Sequence, residues 1–341
     1  MTTLRVGVIG LGAFAESHLK AFAGIPGVEV TAVASRSLAR AGEVARTYGI
    51  PNFHGSYQEL IDNPEVDAVT ICTEESAHVA PTVAALVANK HVLLEKPLAT
   101  TRDDALTILE AARLSSAILM PAHIVRFESR FAALKQAVTE GRLGKIASMH
   151  ASRNRPRNTL ETYGRCHPAL VTAIHDLDIM LWLSGELPTR VTANHRLERD
   201  TNGVYGVWVT LNFPSGAIAT IEATWMMPIE TGMANNDTFS VIGTRGSANL
   251  DLGLSGVRLL EPRSTTIPDN GYEPSVHGTI AGALQSELMH FVHRATTSDV
   301  VPVVTSEDGV RAVFLAESII QSAETDREIY LDWPNELLLT N

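Results

Sequence analysis

Residues 4–22 read LRVGVIGLGAFAESHLKAF, and their order decides what the first half of the chain must be. An apolar run, 4–10, ends on a glycine; Gly10, Gly12 and Ala15 form a GxGxxA pattern; apolar residues at helical spacing follow at once. Small residues are needed here for physical reasons. Gly10 permits a tight turn out of a strand, Gly12 lets the backbone approach a pyrophosphate, and Ala15 lets a helix pack closely on the strand. The helix N-terminus then directs its free N–H groups at the phosphates. Leu11, Ala13 and Phe14 complete the turn and belong to the same expected contact surface. The alternative is a structural glycine turn. The placement between a strand and a helix points instead to a dinucleotide site.

Working outward, short apolar runs alternate with helix-period segments through residue 122. Strands are expected at 4–10, 29–35, 67–73, 91–95 and 117–121, and helices at 15–24, 38–49, 56–62, 80–90 and 102–114. This βαβ grammar implies a doubly wound parallel sheet of the Rossmann type over residues 1–122, covered by helices on both faces. Beyond it the pattern changes. A helix-like segment at 130–140 precedes period-two runs at 146–155, 190–200, 204–213, 217–227, 237–243, 247–252 and 257–261, with FPSG at 213–216 as a hairpin turn signal. These predict a second domain, 123–341, with an open, mostly antiparallel sheet covered by helices on one face. Two helices, about 279–297 and 306–324, close the chain. Residues 262–278 read as a long irregular segment suited to a loop at a site or an interface.

Bulk composition narrows the function classes. The chain has 341 residues, 45% hydrophobic and 19% charged, which fits an ordinary globular protein of two domains. A net charge of −11 argues against a nucleic-acid binder. Two cysteines, Cys72 and Cys166, make no disulfide framework, and no apolar stretch is long enough to span a membrane. The expectation is a cytoplasmic protein whose ligands are small molecules.

The end of the second strand reads ASRSLAR, 34–40. An NAD-selective site places an acid here for the ribose hydroxyls, whereas Ser35, Arg36 and Arg40 suit a 2′-phosphate, so NADP is expected ahead of NAD. A solvated helix start, with serine as the cap, is the other reading. After the fifth strand, LLEKPLATT at 93–101 puts Glu95 and Lys96 where α/β sheets hold ligands, beyond the carboxyl ends of strands. Pro97 biases Lys96 to an extended backbone and admits a cis bond.

GxGxxA at the N-terminus, EKPLA from residue 95 and an HxxD segment at 175–178 together resemble the glucose–fructose oxidoreductase/inositol dehydrogenase (Gfo/Idh/MocA) family over essentially the whole chain. The resemblance implies an NAD(P)-dependent dehydrogenase or reductase acting on CH–OH groups of a sugar, cyclitol or sugar acid. It also implies homodimers or homotetramers built through the open sheet. It assigns Lys96 to the reacting hydroxyl and to the nicotinamide ribose, and His175 to general acid/base work. The segment 71–78, ICTEESAH, is similar to the family's TPNxxH turn, with Thr73 and His78 matching, Cys72 beside them, and Glu74 and Glu75 replacing Pro-Asn. PAHIVRF at 121–127 resembles the domain crossover and puts His123 and Arg126 near the crevice.

The family pattern around His175 is Asp, three residues, His, two residues, Asp. Asp178 matches, and is expected to orient the site or anchor the helix. The first member falls on Val171, which exchanges no proton. Asp176 is turned about 100° away on a helix and reads as a bystander. His167 is a candidate substitute, or simply a cap. Arg153, Arg155 and Arg157 project to one side of an extended strand and suit a carboxylate or phosphate of the substrate, or else decorate an outer strand. Trp225 suits either a sugar face or the core. No metal is expected, because the histidines lack ligand spacing. Rival readings are a non-catalytic dinucleotide sensor and a redox-neutral enzyme with tightly held cofactor.

Overall fold

A computed structural model of the chain describes residues 3–197, 203–229, 235–253, 257, 259–261, 264–266, 269 and 271–339. It divides into two compact units, one of Met1–Glu128 with Gly271–Val310, the other of Ser129–Asn270 with Arg311–Asn341.

The first unit begins β1 (Leu4–Ile9), α1 (Ala13–Phe22), β2 (Val28–Ala34), α2 (Leu38–Tyr48), β3 (Asn52–His54), α3 (Tyr57–Ile61), β4 (Ala68–Ile71), α4 (Val79–Val87), β5 (His91–Glu95), α5 (Arg102–Leu114) and β6 (Leu119–Ala122). The sheet runs β3-β2-β1-β4-β5-β6, and the pairings of β1 with β2 and β4, and of β5 with β4 and β6, are parallel. This is the doubly wound order with its reversal beside β1, where such sheets bind nucleotides. Val6, Val8, Val33, Val69, Ile71, Leu93 and Leu94 are buried, as expected for a sheet with helices on two faces. The helices begin where the sequence supplies a cap: the Ser37 side chain accepts from Arg40 N, and that of Thr101 from Asp104 N. The helix expected at 38–49 therefore opens at Leu38, with Ser37 as its cap.

The second unit contains α6 (Ser129–Thr139), β7 (Ile146–Pro156), α7 (Thr159–Tyr163), a π-helical turn at Ala169–Ala173, α8 (Ile174–Ser184), β8 (Arg190–Leu197), β9 (Val204–Asn212), β10 (Ile218–Met227), β11 (Asn236–Gly243) and β12 (Ser247–Asp251). A small hairpin pairs β13 (Leu259–Glu261) with β14 (Ser264–Thr266). Back in the first unit, β15 (Ser275–Val276) pairs with β16 (Thr279–Ile280), and α9 (Gly282–Thr296) packs on α1. Helix α10 (Ser306–Thr325) starts in the first unit and ends in the second, and β17 (Ile329–Tyr330) closes the larger sheet. That sheet runs β12-β11-β7-β10-β9-β8-β17, antiparallel except for β7 beside β10.

One face of this sheet is apolar: Met149, Ala151, Val207, Val209, Leu211, Ile221 and Phe239 are buried. Trp225 is fully buried on the same face, and its indole donates to Thr172 Oγ1 at 2.9 Å, so it serves the core. Helix α10 reaches this unit through Ser322 Oγ, which accepts from Ala193 N at 2.9 Å. The opposite face carries His150, Ser152, Thr220, Glu222 and Trp208. The expected irregular stretch 262–278 contains short strands instead; residues 262, 263, 267, 268 and 270 lie outside the described set, as do 198–200 at the end of the run expected to form β8.

Candidate active site

Gly10 has φ +86°, and a Cβ there would lie 2.7 Å from the backbone of Cys72 and Thr73, so only glycine lets β1 end against the turn after β4. Gly12 is the residue before α1; a Cβ there would meet nothing within 4 Å, and no side chain caps the helix. Uncapped N–H groups of the first turn, at Ala13 and Phe14, therefore border open space of the kind a pyrophosphate fills. Leu11 is buried in the core beside Ala15, and Phe14 is 36% exposed with its ring 5.1 Å from that of His18. These residues fit a dinucleotide.

At the tip of β2, Ser35 Oγ accepts from Ser37 N at 3.3 Å. Arg36 is largely exposed, with Nη2 3.8 Å from Glu74 Oε2. Arg40 is differently occupied: it donates to Glu16 Oε1 at 2.5 Å, Glu43 Oε2 at 3.0 Å and Leu11 O at 3.3 Å. Its charge is balanced within the unit rather than held out for a phosphate.

A buried network ties α1 to the EKP segment. His18 Nε2 stands 3.0 Å from Glu95 Oε1, its Nδ1 3.2 Å from Thr70 Oγ1, and Glu95 Oε2 accepts from Lys96 N at 3.3 Å. The carboxylate only accepts, so His18 donates through Nε2. Lys96 is half-buried and its bond to Pro97 is cis. His78 contacts two carbonyls, Nδ1 to Pro97 O at 2.8 Å and Nε2 to Thr73 O at 3.2 Å. Burial holds this imidazole below its usual range, against the pull of those carbonyls. A neutral ring has one N–H, which we place on the shorter contact. Thr73 Oγ1 donates to Ala77 O, so the turn after β4 is braced from within. Burial, then the charges of Glu95 and Glu287, raise the Cys72 thiol well above its ordinary range.

His123 is buried where β6 ends. The Arg126 guanidinium is also buried and donates to Val303 O at 2.8 Å and Asp308 Oδ2 at 3.0 Å, anchoring the start of α10.

In the second unit Arg153 and Arg155 do project to one side of β7, but that side is the core. Arg153 donates to both oxygens of Asp176, at 2.7 and 2.9 Å, and to Asp237 Oδ2 at 3.1 Å. Arg155 donates to both oxygens of Asp237, one at 2.9 Å. Two guanidiniums face two carboxylates, a balanced cluster. Burial works to raise Asp237, yet the arginines hold it below the usual carboxylate range. Asp176 is thus a buried ion-pair partner and not a bystander. Helix α8 follows a π turn and buries Ile174, Asp176, Leu177, Asp178, Ile179 and Met180 alike, so turning away from His175 carries Asp176 into another part of the core. Val171 is 5% exposed, and His175 is half-buried at the start of α8. His167 Nδ1 accepts from Ala169 N at 3.1 Å, a cap on the π turn, and its Nε2 lies 3.4 Å from His195 Nδ1. Burial and the neighbouring His195 lower His167 to about 4.

Sequence reasoning passed over His18 and Asp237. Both had a signal: His18 shares the buried face of α1 with Ala15, Leu19 and Phe22, and Asp237 alternates with Phe239 and Val241. A polar group on a core face needs a partner. Among the described residues no group of three or more His, Cys, Asp or Glu side chains is placed to hold a metal, and no helix is long and apolar enough to cross a membrane.

Known proteins are similar to this chain over nearly its whole length. The 1,5-anhydro-D-fructose reductase of Ensifer adhaerens is 30% identical over 333 residues, covering 94% of this chain and 96% of that one. An inositol 2-dehydrogenase of Salmonella paratyphi B is 27% identical over 344 residues, covering 98% of each chain. The scyllo-inositol dehydrogenase of Lactobacillus casei, solved with bound NAD(H) and scyllo-inositol, superposes with a TM-score of 0.84 over 96% of this chain and 99% of its own; at 19% identity it speaks for the fold alone. Residues 4–123 match the GFO/IDH/MocA oxidoreductase family with its NAD-binding Rossmann fold, and residues 131–249 match the C-terminal domain of that same family. With both halves matched in order, the chain belongs to the GFO/IDH/MocA family of oxidoreductases.

Proposed function

We propose that the protein interconverts a secondary alcohol and its ketone on an uncharged sugar or cyclitol, with NADP preferred over NAD. The dinucleotide, when bound, accepts or supplies the hydride. The chain manages the proton: in the oxidative direction the hydroxyl loses its proton as its carbon loses hydride. Lys96 would stabilise the developing alkoxide through its ammonium group. His175 would take the proton, a task suited to an imidazole. Val171 has no proton to exchange, so His175 would act without the family's first carboxylate.

The observation that carries this reading is the His18–Glu95 bond at 3.0 Å, which ties the Lys96 segment to the same helix whose N-terminus would seat the phosphates. NADP is favoured by Ser35 and Arg36, with no acid at the tip of β2. A neutral substrate is favoured over a sugar acid because Arg153 and Arg155 already face Asp176 and Asp237. The relatives are named for anhydrofructose and inositol, both uncharged. We also propose assembly as a homodimer or homotetramer through the open sheet face, where Trp208 and Ile218 are 37% and 46% exposed; sedimentation of the pure protein as a monomer would refute it.

The test is a panel of cyclitols, alditols, aldonates and uronates assayed with each dinucleotide by the near-ultraviolet absorbance of reduced nicotinamide. Lys96→Ala should lower kcat by about a hundredfold or more while dinucleotide still binds. Unchanged turnover would remove Lys96 from the chemistry.

A further inference from the structure

The sheet order sets β2, β1 and β4 side by side, so the tip of β2 and the turn after β4 flank Gly10. At that place Arg36 and Glu74 stand 3.8 Å apart, their side chains 90% and 55% exposed. An ion pair this long and this wet contributes too little to be a stability device. Both side chains can reorient toward a ligand. The fold places the adenosine ribose at the end of the second strand, where a carboxylate accepts from the 2′- and 3′-hydroxyls and a guanidinium receives a 2′-phosphate. Here β2 carries the guanidinium, and the carboxylate comes from the turn after β4. Arg40 adds no further positive charge, because Glu16 and Glu43 hold it.

We propose that Glu74 sets the balance between the two dinucleotides, accepting from the ribose hydroxyls of NAD and competing with the 2′-phosphate of NADP for Arg36. It rests on the reading of Arg36 as the phosphate contact. Glu74 restrains an NADP preference that Arg36 alone would make steep. The restraint is electrostatic and exposed, so raising the salt concentration compresses the difference.

The experiment is a fluorescence titration of the intact chain with NADPH and with NADH, for wild type, Glu74→Gln and Arg36→Ala, at low and high salt. Glu74→Gln should raise the ratio of the NADH to the NADPH dissociation constant about tenfold at low salt, with NADPH bound more tightly and NADH more weakly. Arg36→Ala should lower the same ratio. A ratio within about twofold of wild type in Glu74→Gln, alongside a changed one in Arg36→Ala, overturns the role of Glu74 and leaves the phosphate reading standing. An unchanged ratio in Arg36→Ala overturns the phosphate reading instead, and an unchanged NADH affinity in Glu74→Gln then overturns Glu74 as well.

Discussion

Replacing Asp176 by asparagine removes one charge from a polar cluster of the second unit in which Arg153, Asp176 and Asp237 have almost no access to water and Arg155 is 21% exposed. Arg153 and Asp176 have side chains 3% and 2% exposed, joined by two hydrogen bonds of 2.7 and 2.9 Å. In the variant, Arg153 must share Asp237 with Arg155, and a neutral cluster of two cations and two anions becomes net positive in a place with little water. Breaking a buried pair from one side costs about 3–5 kcal/mol, most of it from the charge left behind. The substituted amide can still accept one bond from Arg153, and Asp237 lies 3.1 Å away, so about 3 kcal/mol is the expected loss. Urea unfolding followed by tryptophan fluorescence reads it, since Trp225 is buried in the same unit. The matched control is Arg153→Met with Asp176→Leu, which removes both charges and should recover most of the loss. A change below about 1 kcal/mol in Asp176→Asn would refute the claim that these charges are desolvated.

Three further outcomes are expected. His167, lowered to about 4 from 6.5, favours the folded state fully above pH 6.5, and that contribution is lost as pH falls toward about 4, by up to roughly 3 kcal/mol; His167→Asn, which keeps an acceptor for Ala169 N, should flatten the fall of Tm over that interval, and an unaltered slope would rule the histidine out. Asp237 is held below the ordinary aspartate value of 3.8, so its stabilisation is present above about pH 4 and disappears as pH drops through the lower folded value; Asp237→Asn should lose stability at neutral pH and show a shallower acid limb by circular dichroism. His18→Leu strips Glu95 of a buried donor and should cost about 1–3 kcal/mol, with His18→Gln recovering part of it; equal stability of the two variants would mean the bond is not needed.

The nucleotide end was legible because its chemistry is local. Gly10, Gly12 and Ala15 act through their own size, and the strand–turn–helix order around them is written in apolar spacing. The end of β5 was legible too, since the lysine and proline after Glu95 stop a core strand. The arginines were half legible: alternation along β7 correctly put Arg153 and Arg155 on one side, but not which side was the core. Asp176 was misplaced because a helical bearing has meaning only relative to what surrounds the helix, and α8 has no wet face. Arg40 read as a phosphate contact, while its partners Glu16 and Glu43 lie on α1 and α2.

By itself, then, the sequence determined the class of most of the longer elements, the doubly wound sheet, the open and mostly antiparallel sheet and a turn suited to a dinucleotide. Periodicity and backbone sterics depend on a few neighbouring residues. Tertiary structure alone decided that β7 lies parallel to β10, that residues 271–310 return to the first unit, and that charged side chains 23 and 84 residues apart neutralise one another in a core. The worth of a buried charge is set by its partner and by the water excluded around both, and neither is a property of the segment in which it occurs.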